Sequence, residues 1–276
     1  MPRFRLRAPG DLAGRPRVRP GVDTPLSERW RSGLALLISL IVLGAIILWA
    51  PADGPAGLRR ALGIGEEPLG DPADVPPGGT YAFLEHQPGA LKEPVAWDPC
   101  DEIHYEINPD GAPEDAEDTE EFVADAIEVV AHYTGLEFVY DGRTDRRPEW
   151  DRQFVPSLGQ HEPVLIAWAT ESEVPQLEDE VAGIGGAVAV EVQPEGWLRY
   201  VTGGVTLDSD AFEEMDPVLG DNEQGRAVLL HELGHLVGLD HVDSTDELMF
   251  ADNVGKSDFG TGDLNGLVRL GEGRCA

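Results

Sequence analysis

A chain of 276 residues is long enough for one catalytic domain of ordinary size plus a further segment. Its formal charge is −32; residues 1–32 set eight arginines against only Asp11, Asp23 and Glu28, so that segment carries +5 and the remainder −37. A body this acidic repels polyanions, which excludes nucleic acid as a partner, and two cysteines are too few for a disulfide-rich scaffold.

Residues 33–50, GLALLISLIVLGAIILWA, form an uncharged apolar run. As a helix it would reach roughly 27 Å, enough for a bilayer core. Arg29 and Arg31 flank its start, so the positive-inside rule makes residues 1–32 a cytoplasmic tail and puts everything after the run outside. A cleaved signal peptide is the rival reading, with Ala50-Pro51-Ala52 as a small-residue cleavage site. The length of the run and the proline within that site favour an uncleaved signal anchor. Residues 51–80 hold six prolines and seven glycines with almost no apolar periodicity, and 51–96 is expected to be an extracytoplasmic linker. Within it, Tyr81, Phe83 and Leu84 either dock onto the domain or end the tether.

From Trp97 to the C-terminus, 97–276, the sequence reads as one globular domain. Alternation over Ile103–Asn108 predicts a half-buried strand. Phe122, Ala126, Val130 and Tyr133 recur at helical spacing over about 118–134, with Gly135 as the stop. Strands are expected at 136–140 and 164–168. The glycines of GIGGAVAVEV (183–192) lack the lysine and hydroxyl residue of a phosphate loop, and they suggest a loop or bulge before a strand-like alternation. Another strand is expected at 200–208, a helix from about Asn222, and a closing helix at 261–271 capped by Thr261 or Asp263.

The stretch HELGHLVGLDH at 231–241 carries the chemistry. On a helix, His231 and His235 lie four residues apart on one face, so both imidazoles reach one ion. Gly238 turns the chain, because glycine tolerates the left-handed conformation, and the turn brings round His241. A catalytic zinc takes three protein ligands and keeps one position open. Glu232 follows the first ligand, where its carboxylate can take a proton from water at that position. Asp240 either orients His241 or is an exposed turn residue. His86, His104, His132 and His161 share no ligand spacing. Without a metal, three histidines so placed would be buried without obvious partners.

These eleven residues resemble the zinc signature of the metzincin metalloproteases. Met249, eight residues after His241 within Glu247-Leu248-Met249-Phe250, resembles the methionine turn of the matrixin branch. The resemblance implies an α+β zincin domain: a twisted mixed sheet, an active-site helix and a small C-terminal subdomain, behind the transmembrane helix. It implies one catalytic Zn2+ held by His231, His235 and His241, Glu232 as general base, and Met249 as a packing floor that does not bind metal. It also implies a peptide substrate added in extended form to a sheet edge, either at 183–192 or at 200–208. Phe250-Ala251 stands where matrixins commonly have Tyr-Pro, and no tyrosine ligand follows the methionine.

Cys100 and Cys275 bracket the domain. Outside the cell they are expected to pair; in a reducing compartment they would be unrelated. Cys100 as a zinc-blocking thiol fits poorly, since it stands in Trp-Asp-Pro-Cys and not in the arginine-cysteine-glycine context of the matrixin switch. Ca2+ would suit the acidity, but no EF-hand-like loop supports it. The combined expectation is a membrane-anchored extracytoplasmic zinc endopeptidase, monomeric in its catalytic domain, with a composition suited to a bacterial surface protein. The competing class is a catalytically silent zinc-binding interaction module on the same fold.

Overall fold

The computed structural model describes residues 67–113, 116–150, 161–179, 181–192, 196–215, 223–252 and 255–275, all within the unit Gly65–Ala276. The expected tail at 1–32 and the anchor at 33–50 lie outside the described residues. Among the described residues no helix is long and apolar enough to cross a membrane.

Five strands make the central sheet: β4 (Ile103–Asn108), β5 (Phe138–Arg143), β6 (Val164–Ala169), β7 (Gly183–Val192) and β8 (Trp197–Asp208), in the order β5-β4-β6-β8-β7. β4, β5, β6 and β8 run parallel, and only β7 is antiparallel, against β8. This explains the unbroken apolar sequence of β6: it is central, parallel to both neighbours and buried at every residue. The glycines of 183–192 sit within a continuous strand with a bulge at Val188/Ala189, and that strand is the edge of the sheet. The 200–208 stretch belongs to the interior strand β8.

α1 (Ala116–Thr134) buries Phe122, Val123, Ala126, Ile127 and Val130, spaced three and four apart along one face. Acidic side chains open it, and Gly135, at φ 68°, ends it. α2 (Ser209–Met215) inserts Phe212 edge-on between Phe122 and Trp168. α3 (Glu223–Val237) packs on β7, β8 and α1, and α4 (Thr261–Gly271) closes the domain against α1. Leu229 and Leu233 of α3 are fully buried; Val228 is partly buried, against Gly183. The cap of α4 is Gly260, whose N–H is accepted by Asp263 at 2.9 Å. Thr261 is the first helical residue.

The segment expected to be a linker is, from Glu67 onward, laid against the domain. Leu69 N–H donates to the Pro99 carbonyl, Asn265 donates to the Pro76 carbonyl, and Thr80 N–H donates to Glu247 Oε1 at 3.1 Å. Docking continues through β1 (Ala82–Phe83), which pairs antiparallel with β9 (Leu239–Asp240), and through the hairpin of β2 (His86–Gln87) and β3 (Ala90–Pro94). A proline-rich chain can do this because its ordering costs little, while its carbonyls still accept hydrogen bonds. Cys100 and Cys275 are joined across a sequence separation of 175, with Cα atoms 5.3 Å apart.

Candidate metal centre

α3 carries His231, Glu232 and His235 and ends at Gly238, whose φ of 121° turns the chain as the sequence requires. β9 then leads into His241. The three imidazoles converge: His241 Nε2 lies 3.0 Å from His231 Nε2 and 3.1 Å from His235 Nε2. Both helix histidines are fixed from behind. His231 Nδ1 donates to the Leu248 carbonyl and His235 Nδ1 to the Leu239 carbonyl, each at 2.8 Å. A carbonyl only accepts, so each Nδ1 carries the proton and each Nε2 presents its lone pair to the shared point.

That donor set fits zinc. With two lone pairs and one His241 nitrogen within 3.0 and 3.1 Å, a cation at the shared point could be held by all three. Tetrahedral zinc with Zn–N near 2.05 Å would space its nitrogens about 3.3 Å apart. Burial, reinforced by its histidine neighbours and opposed by the Leu248 hydrogen bond, lowers the His231 pKa to about 4. His235 is shifted in the same direction, chiefly by burial. Both are therefore neutral near pH 7, the form a metal needs. Among the described residues, His/Cys/Asp/Glu ligand atoms gather in only one other place, Asp98 with Cys100 and Cys275, and there the sulfurs are bonded to each other.

Glu232 is buried between α3 and β7, and burial pushes its carboxyl up to about 8 against the opposing hydrogen bond from Gly185 N–H. Met249 is buried, its sulfur against Gly234, the residue before His235. Asp240 does not reach the His241 ring; its carboxylate accepts the backbone N–H of His241 at 2.8 Å.

Asp263, expected only as a helix cap, and Glu247, expected only as part of the methionine-turn segment, hold this loop. Asp263 Oδ2 accepts the N–H of Leu248, the residue whose carbonyl fixes His231. Glu247 Oε2 accepts the N–H groups of Gly262 and Asp263 in return, at 2.8 and 3.2 Å. Both carboxylates are buried. The sequence signal was present: an acid beside the methionine turn and another in the first turn of a helix, where backbone N–H groups lack partners.

A helix presenting two histidines, a glycine turn to a third and a methionine floor define a zincin-type metallohydrolase. The family model described as matrixin matches residues 96–267, and the chain belongs to the matrixin family of zinc-dependent endopeptidases. No curated protein matches the chain. The mixed sheet and four helices fit this family, and the enzyme is a zinc metalloendopeptidase.

Proposed function

We propose that the chain is a membrane-anchored extracytoplasmic endopeptidase whose single zinc is held by His231, His235 and His241, with Glu232 as general base. The observation that carries this reading is the convergence of the three Nε2 atoms beside a buried glutamate on the same helix. Zinc supplies Lewis acidity there, polarising a peptide carbonyl and lowering the pKa of water. The rest falls to the chain's own residues. Glu232, ionised, takes the proton of the attacking water and later delivers it to the leaving amine nitrogen. β7 has no strand on its outer side among the described residues, and an extended substrate can add its backbone there.

The arginine tail and the apolar run at 33–50 support anchoring, and the joined Cys100 and Cys275 support an oxidising compartment. The reading is tested by stripping metal from the full-length protein and restoring it. Peptide hydrolysis that disappears with a chelator and returns with one equivalent of zinc agrees with it. Turnover that survives complete zinc removal overturns it.

A further inference from the structure

A cavity of about 540 Å³ lies between β1, the β2–β3 hairpin, β9 and α4. Its wall includes Asp240, the residue before His241, so it begins one residue from a candidate ligand. Tyr81 and Phe83, with ring centroids 5.4 Å apart, supply an apolar side, and Lys92, Arg269 and His86 supply donors.

The charges on that wall are unequally committed. Arg269 is already paired with Glu93 and Glu272, and Asp240 is bonded to the His241 backbone. Every other described arginine or lysine has a carboxylate or an aromatic ring: Arg143 with Glu120, Arg146 with Glu106, Arg147 with Glu173, Arg199 with Asp98, Arg226 with Asp258, Lys256 with Asp246, and Arg274 over Trp197. Lys92 is exposed and has neither among the described residues. In a chain of net charge −32, with carboxylates available on nearly every surface, a single unmatched ammonium on the wall of a cavity is a site for an anion from outside.

We infer that this cavity is a substrate subsite that takes an acidic side chain, aspartate or glutamate, of the bound peptide, with Lys92 as its charge partner and the Tyr81 and Phe83 rings against the side-chain methylenes. The inference rests on the peptidase reading for its substrate. An extended peptide advances about 3.3 Å per residue, so a pocket this close to His241 serves a residue within roughly four positions of the scissile bond. The wall is built largely by residues 81–92, so this preference depends on the docked N-terminal segment and not on the metal loop.

The test uses the full-length, zinc-loaded protein and peptide sets that differ only by Glu, Gln or Lys at each of four positions on either side of the cut. At one position kcat/KM is expected to be about fivefold higher for Glu than for Gln, the upper range for a solvent-exposed ion pair, and lowest for Lys. Lys92→Ala should bring the Glu peptide down to the level of its Gln twin, and Lys92→Glu should invert the order to favour Lys. No acidic preference at any position, or one that survives Lys92→Ala, overturns the inference. Should the wild-type protein cleave no peptide, the peptidase reading has failed, and binding of fluorescent Glu and Gln peptides decides the subsite separately. Weaker binding of the Gln peptide, with the difference lost in Lys92→Ala, sustains it; equal binding overturns it.

Discussion

Gly185 of β7 lies so close to Glu232 of α3 that a methyl group at position 185 would fall inside the van der Waals envelope of the Glu232 carbonyl oxygen. The same glycine donates its N–H to the Glu232 carboxylate. Gly183 is also close to this residue, but through the side chain: a Cβ there would meet Glu232 Cγ at 2.8 Å. Gly185 lets the edge strand approach the helix backbone to backbone, where no side-chain rotation can make room, whereas at Gly183 the crowding atoms are side-chain ones. Gly185→Ala should therefore destabilise the domain by about 1–3 kcal/mol. It should also lower kcat by more than the stability change explains, because the hydrogen bond to Glu232 is displaced. Denaturant midpoints and kcat measured on the same preparations check this; a variant of wild-type stability and rate would contradict it.

Met249 should matter by volume and not by its sulfur. A Cβ on Gly234 would meet Met249 Sδ at 2.7 Å, so helix and floor are in direct contact. Met249→Leu conserves volume and should cost less than about 1.5 kcal/mol, whereas Met249→Ala should cost about 2–5. Zinc content measured by mass spectrometry should stay at one per chain in Met249→Leu.

Asp263 gives a pH dependence of opposite sign to an ordinary surface carboxylate. Burial raises its folded pKa to about 6 from 3.8, with Glu247 adding to the shift and the hydrogen bonds from Gly260, Leu248 and Met249 opposing it. The folded state therefore binds this proton more tightly than the unfolded state. The group's contribution is fully present below about pH 4 and is lost as pH rises through about 6. Asp263→Asn removes the titration, so the difference in unfolding free energy between variant and wild type should change across pH 4 to 6 in the variant's favour. A difference that stays flat across this window would refute the assignment.

The Cys100–Cys275 bond closes almost the whole described domain, with a sequence separation of 175. The chain-entropy model gives about 5 kcal/mol for a loop of that order, an upper figure. Replacing both cysteines by serine should lower the urea midpoint accordingly without changing zinc content, as urea titration and metal analysis would show.

The sequence was most readable where one local pattern served one local environment. Ile103–Asn108 alternates because β4 has one face on the core, and residues 164–169 are continuously apolar because β6 is enclosed between parallel neighbours. The histidines were legible because their separation along the chain already encodes the helix, and Gly238 the turn. What could not be read was what long-range partners decide. Residues 67–81 have no periodicity of their own, and their order comes from carbonyls and amides paired with residues as distant as Glu247 and Asn265. The glycines at 183–186 looked like a loop because the helix backbone that requires Gly185 lies nearly fifty residues later. Asp240, one residue from a candidate ligand, turned out to serve the backbone of His241 and not its ring.

The most direct test of the central claim is to compare Glu232→Gln with wild type for zinc content and for kcat on a cleaved peptide. The account predicts one zinc per chain in both proteins and a fall in kcat of about 10²–10⁴-fold in the variant, because the amide cannot move the proton. Hydrolysis at the wild-type rate by a zinc-loaded Glu232→Gln protein would contradict it.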